Sequence, residues 1–254
     1  MLSQEKVVDA VVLIITFLIT SLIIVNFRLS SIIAILLFYL PSASYLLIKY
    51  PRVRKPAIFF SVPTFIAFLA VDYVAHYNLA WFIPTVFPFR IFEFVTIEVL
   101  VWVVLWTLSI VTVYKVFIDV RHKTENIRNY KWFIIVLITA FVAFLLAVSV
   151  KPTSNYAYAK FISIPIMFPI IYIVVKRPNL IPNLWKISLV MLFFSLVIEL
   201  IGLSLNHWDF PGEYTSFLGL LGFQIPLEEF VLWILLGGAC VAAYYEIFVD
   251  LEGI

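Results

Sequence analysis

Charge, glycine, histidine and cysteine are all scarce in this chain. Only 13% of its 254 residues are Asp, Glu, Lys or Arg, against about 25% in soluble domains. That deficit excludes a nucleic-acid binder and a disordered chain. The single cysteine, Cys240, excludes an intramolecular disulfide and a thiolate metal cluster. The three histidines, His76, His122 and His207, stand in no H-x-x-x-H or E-x-x-H spacing, so no metal site is expected. The seven glycines form neither G-x-G-x-x-G nor a P-loop, so no flavin, nicotinamide or nucleotide cofactor is expected.

What is present is hydrocarbon. Hydrophobic residues make up 64% of the chain and aromatics 18%, and the mean hydropathy is +1.11. A helix needs about 20 apolar residues to cross a bilayer. Eight runs qualify: 7–26, 30–49, 56–77, 92–118, 131–150, 157–176, 184–205 and 220–249. None alternates apolar and polar residues as a barrel strand would. The first run is too long for a cleavable signal and lacks a small-residue cleavage site. The expectation is an all-α polytopic membrane protein of about eight transmembrane helices.

Lysine and arginine set the orientation. One face holds Lys6, Lys49, Arg52, Arg54, Lys55, Lys115, Arg121, Lys123, Arg128, Lys131, Lys176, Arg177 and Lys186; the other holds Arg28, Arg90 and Lys151. By the positive-inside rule both termini are expected to be cytoplasmic, with the chain in the cell membrane. Lys160, near the start of the sixth run, reads as a snorkelling side chain. The last run has no lysine for a retinal Schiff base.

The second half echoes the first. At an offset of 127, Tyr45 matches Tyr172, Asp72 matches Glu199, Trp81 matches Trp208 and Pro84 matches Pro211. Farther on the offset becomes 131: Trp102 matches Trp233, Tyr114 matches Tyr245, Phe117 matches Phe248 and Asp119 matches Asp250. A four-residue difference in the intervening loop would reconcile the registers. Two parallel four-helix repeats are expected within one membrane domain, residues 1–125 and 126–254. Repeats of this kind place a site at their interface.

Five acids in or near the spans share a depth: Asp72, Glu98, Glu199, Glu228 and Glu229. At 1.5 Å per residue they lie on the order of 8–13 Å below one surface, and the repeat would gather them into one layer. An acid at that depth costs several kcal/mol and by default marks a function. The structural alternative is that they cap helix ends or bond neighbouring spans. Glu93, Asp209 and Glu213 read as surface loop residues, and Asp119, Glu246, Asp250 and Glu252 as the cytoplasmic rim. His122 reads as solvated. Trp102 and Trp233 follow Glu98 and Glu229 by four residues, so acid and indole share a helix face. There an indole could shelter a cation beside a proton donor.

Pro226-Leu227-Glu228-Glu229 opens an apolar helix after Trp208 and Gly219-Leu-Leu-Gly222. This resembles the P-x-E-E signature of the membrane-integral, heterodimer-type lycopene cyclases, and the internal repeat resembles their fused two-unit form over nearly the whole chain. The first half departs from the pattern, reading Val95-Thr96-Ile97-Glu98 where the family has a second P-x-E-E. Glu98 can be aligned with either Glu228 or Glu229. The resemblance implies a redox-neutral, proton-initiated closure of the ψ-ends of lycopene to β-ionone rings without a cofactor. Candidate catalytic residues are Glu228, Glu229, Glu98, Glu199 and Asp72; candidate substrate contacts are Trp102, Trp233, Trp81, Trp208 and Pro226. The expected partner is a C40 carotenoid dissolved in the lipid bilayer, entering laterally. The oligomeric state stays open, a homo-oligomer included.

Two other readings remain at this point. A carotenoid end-group hydratase protonates the same end group and adds water. A proton-coupled transporter also has repeats with acids at their interface. Against the carrier, Pro41 and Pro169 are one residue out of register and the spans are poor in Ser, Asn and Gln.

Overall fold

The computed structural model describes residues 3–119 and 130–248. Arg121, His122, Lys123, Arg128, Asp250 and Glu252 lie outside the described residues. Helix α1 (Gln4–Phe27) begins where the Ser3 side chain accepts the Lys6 N–H, and stops at Arg28 in a left-handed conformation. It is followed by α2 (Ser31–Lys49), α3 (Pro51–Ser61) and α4 (Thr64–Tyr77). Helix α5 (Ile97–Val113) runs on into a π-helical turn at Tyr114–Ile118. Beyond it lie α6 (Tyr130–Val150), α7 (Ser163–Lys176) and α8 (Ile181–Ser204). A hairpin of β1 (Phe217–Leu220) and β2 (Phe223–Pro226) then leads into α9 (Leu227–Glu229), a π-helical turn (Phe230–Leu235) and α10 (Gly237–Phe248).

This is an all-α polytopic membrane protein. Six helices are long and apolar enough to cross a bilayer alone, and two bent pairs bring the number to eight. The first pair, α3 and α4, turns by 40° at Val62-Pro63, where proline has no N–H to continue the ladder. The second turns by 45° between Leu235 and Gly237. Much of the surface is apolar and exposed, Leu22, Ile48, Val150 and Val175 among it, as lipid-facing helices require.

Two span boundaries differ from the hydropathy reading. Residues 92–96 are loop, closed by an antiparallel bridge between Ile91 and Val95 with Phe92 and Glu93 in left-handed conformation. Residues 220–226 belong to the hairpin, in which Leu220 pairs with Phe223 across Leu221-Gly222. Both turn residues have positive φ, 50° and 87°, the requirement of a type I′ turn. Glu98, Glu228 and Glu229 therefore sit in the first turn of their helices rather than six to nine residues inside.

The 127-residue echo is written into the backbone. Leu79 and Asn206 both take left-handed φ, 56° and 55°. The next residues bond back identically, Ala80 N–H to Ala75 O and His207 N–H to Gly202 O, each at 2.8 Å. Phe82 and Asp209, again 127 apart, exchange two backbone hydrogen bonds of 3.0 Å. Downstream, Thr96 and Pro226 both hold the N-cap position of a helix, with ψ of 145° and 139°, which sets the offset at 130. The π turn at Phe230–Leu235 adds one residue and brings Trp102 into register with Trp233. The shift from 127 to 131 is thus three residues in the loop and one in the helix, not four in the loop.

Candidate functional site

Glu98, Glu199 and Glu229 open onto one cavity between α2, α4, α5, α8 and the π turn after α9, with about 820 Å³ of atom-free space including its mouth. Its wall carries five indoles, Trp81, Trp102, Trp106, Trp208 and Trp233, together with Tyr39, Phe68 and Phe210. The rings hold one another in place. Trp102 stacks on Trp106 at 5.3 Å, and Trp233 meets both edge-on at 5.7 and 5.5 Å. Phe68 bridges Trp102 and Trp233 at 5.7 and 5.5 Å. Aromatic pairs in this geometry contribute about 0.5–1.5 kcal/mol each beyond area burial, so the wall is stiff.

Each carboxyl is aimed by a different donor. Glu199 accepts the Trp208 indole N–H at 2.9 Å. At the matching position of the first half, Asp72 accepts the Trp81 indole N–H, also at 2.9 Å. Asp72 is fully buried and does not line the cavity; it stands behind Trp81, with His76 Nδ1 at 3.0 Å. Glu98 receives the Thr85 hydroxyl at 2.9 Å on both oxygens and the Val86 N–H at 2.7 Å. Glu229 accepts the Tyr158 hydroxyl.

The adjacent glutamates divide. Glu229 faces the cavity, whereas Glu228 turns toward the hairpin loop and accepts the Thr215 N–H at 2.8 Å. The 130-residue register pairs Glu98 with Glu228 and Val99 with Glu229. Loop donors do bond Glu98 and Glu228 alike, and Val99 lines the cavity as Glu229 does. Pro226 is buried at the start of α9 and is not among the cavity-lining residues.

The remaining polar residues are distributed as follows. Glu93, Asp209 and Glu213 are exposed, as is Lys160, which bonds Ser154 at 3.1 Å. Asp119 and Glu246 are buried rather than solvated: Lys115 pairs with Asp119 at 2.5 Å and Tyr114 donates to Glu246 at 2.7 Å. A buried acid absent from the sequence reading, Asp9, accepts the Lys49 ammonium and the Tyr45 hydroxyl at 2.5 Å each, as well as the Tyr50 hydroxyl. His207 hydrogen-bonds Leu29 O at 2.9 Å; burial lowers its pKa below the ordinary imidazole value, and that bond opposes the shift.

Sequence reasoning missed Tyr39, Phe68, Trp106, Phe210 and Tyr158. Trp106 had a signal, one helical turn beyond Trp102. Tyr158 had none, because it reaches Glu229 across 71 residues. Among the described residues, no three His, Cys, Asp or Glu side chains gather closely enough to hold a metal ion. No protein-family model, curated protein or solved structure matches this chain.

Proposed function

We propose that this chain is a lycopene β-cyclase, an isomerase of carotenoid biosynthesis that closes the ψ-ends of lycopene to β-ionone rings by proton transfer alone. The observation that carries the reading is the cavity: three carboxyl side chains, drawn from both halves, set into a wall of aromatic rings inside a membrane protein. Proton-initiated cyclisation requires a proton donor, a proton acceptor, a face that tolerates a carbocation, and little water.

Glu229 is assigned the delivery of the proton. It lines the cavity beside Trp233, and Tyr158 fixes its orientation. The proton adds to the terminal double bond and leaves a tertiary cation under the indole faces, where cation–π attraction reaches about 2 kcal/mol once water is excluded. The neighbouring alkene closes on the cation. A ring C–H proton then passes to a second cavity carboxylate, Glu199 or Glu98. One proton is taken and one returned, so no oxidant, reductant or co-reactant is consumed. Asp72 positions Trp81 from behind. The substrate is a membrane-dissolved C40 hydrocarbon, which suits the apolar exterior. The lysine and arginine distribution supports both termini at the cytoplasmic face of the cell membrane.

The test is the pigment of lycopene-accumulating cells that express this chain alone. The wild type should give cyclic carotenes, and Glu229→Gln, expressed at the same level, should leave red lycopene. Cyclisation by Glu229→Gln at the wild-type rate would remove Glu229 from the reaction.

A further inference from the structure

Tyr214 and Glu228 lie behind the cavity wall, on the hairpin side of Glu229. Both are buried, each 8% exposed. The backbone N–H after Tyr214, that of Thr215, donates to Glu228 Oε1 at 2.8 Å, which ties the two residues together. The Tyr214 ring lies 5.9 Å from that of Tyr158, the residue that donates to Glu229.

Two polar atoms of this group have no hydrogen-bond partner among the described residues: the Tyr214 hydroxyl and Glu228 Oε2. A buried donor or acceptor left unpaired is destabilising, because it gives up its bonds to water and gains none in return. Packing alone gives no reason to keep either; phenylalanine and glutamine would fill the same space. The first half makes the contrast. Glu98, in register with Glu228, has both oxygens bonded by Thr85. Glu228 keeps one oxygen open. Tyr214 is held as a neutral O–H: burial first, then the charges of Glu229, Glu228 and Asp209, raise its pKa.

We propose that Tyr214 and Glu228 hold a bound water and with it form a proton relay between Glu229–Tyr158 and the hairpin-side surface. The water accepts from the Glu228 carboxyl at Oε2 and donates to the Tyr214 hydroxyl oxygen, satisfying both open atoms. The inference rests on Glu229 being the cavity acid. It answers a need that cyclisation creates: the carboxylate that takes the ring proton is not the group that gave the first one, so the acid must be reset every turnover. Each hop breaks one O–H bond and forms another, with no electron transfer. The Glu228 carboxyl gives its proton to the water, the water gives one to the Tyr214 oxygen, Tyr214 gives its own to the Tyr158 oxygen, and Tyr158 gives the proton it already points at Glu229 to that carboxylate; solvent then reprotonates Glu228. Tyr214 and Glu228 are positioning and relay residues and do not touch the substrate.

The experiment is cyclisation by purified protein in D2O, over many turnovers, with deuterium counted per ring by mass spectrometry. Wild type should label nearly every ring. Tyr214→Phe should turn over more slowly and lose most of the label, because the ring proton is recycled internally instead of exchanging. Glu228→Gln should lose label in the same way, which covers the case in which one variant misfolds. A measurement without substrate stands beside it: the rate at which the carboxylic C=O stretch that Glu229→Gln abolishes shifts on transfer to D2O. That rate should fall severalfold in Tyr214→Phe. Wild-type labelling or a wild-type shift rate in folded Tyr214→Phe overturns the relay and leaves the cyclase reading standing. Absence of any ring product from the wild type overturns the cyclase reading itself.

Discussion

Gly202→Ala is a substitution of one hydrogen by a methyl group, and the structure makes it costly. Gly202 is in α8, one turn beyond Glu199, with the Trp208 indole lying against its Cα. A Cβ at this position would stand 2.1 Å from Cζ2, 2.2 Å from Cη2 and 2.6 Å from Cε2 of Trp208. Ordinary contact begins at 3.4 Å, so the ring must retreat by more than 1 Å. Its N–H now bonds Glu199 Oε1 at 2.9 Å, and a retreat of that size breaks the bond. Overpacking costs about 1–3 kcal/mol and the hydrogen bond about 1 kcal/mol more. A total of about 2–4 kcal/mol corresponds to a fall of roughly 4–8 °C in Tm at this chain length. The assay is thermal unfolding in detergent followed by tryptophan fluorescence. Gly219→Ala is the control, because its Cβ would meet Gln224 at an ordinary 3.6 Å, and its Tm should not move. In a Trp208→Ala background, Gly202→Ala should add almost no cost. A Gly202→Ala protein as stable as its parent would refute the packing argument.

Three further outcomes follow from the same geometry. Trp102→Leu should leave a folded protein that turns over roughly thirtyfold more slowly, from loss of about 2 kcal/mol of desolvated cation–π stabilisation; unchanged turnover would place the cation elsewhere. His207 is held neutral by burial, so it adds stability above the unfolded imidazole pKa of about 6.5 and loses it as pH falls through the lower folded value. Tm should therefore drop on acidification through that window in the wild type and drop less in His207→Gln. A reporter fused at Ile254 should be active only in the cytoplasm, and one inserted beside Pro211 only outside; the reverse pattern would contradict the lysine and arginine count.

The spans were legible because a bilayer demands long apolar runs, and nothing else in a chain resembles them. The breaks were not. Leu218–Gly222 reads as apolar continuation of a helix, and only Gly222 hints at the turn that makes it a hairpin. The bend before Gly237 and the π turn ahead of it add one residue without any change in composition. Among the acids, Glu199, Glu98 and Glu229 share a cavity as the repeat suggested, but Asp72 and Glu228 face other partners. That choice depends on which loop donor reaches each carboxyl, a tertiary fact. Asp9 escaped notice because an acid near a chain end looks solvated until Lys49, Tyr45 and Tyr50 close around it.

The central claim is that the carboxyls and indoles of this one cavity suffice to cyclise a carotenoid end group. It is tested most directly with the purified wild-type protein in liposomes that contain lycopene and no added flavin, nicotinamide or metal. The predicted result is a cyclic product of unchanged mass, made by wild type and not by Glu229→Gln. Lycopene left untouched by folded wild-type protein, or a product heavier by one water, would contradict it.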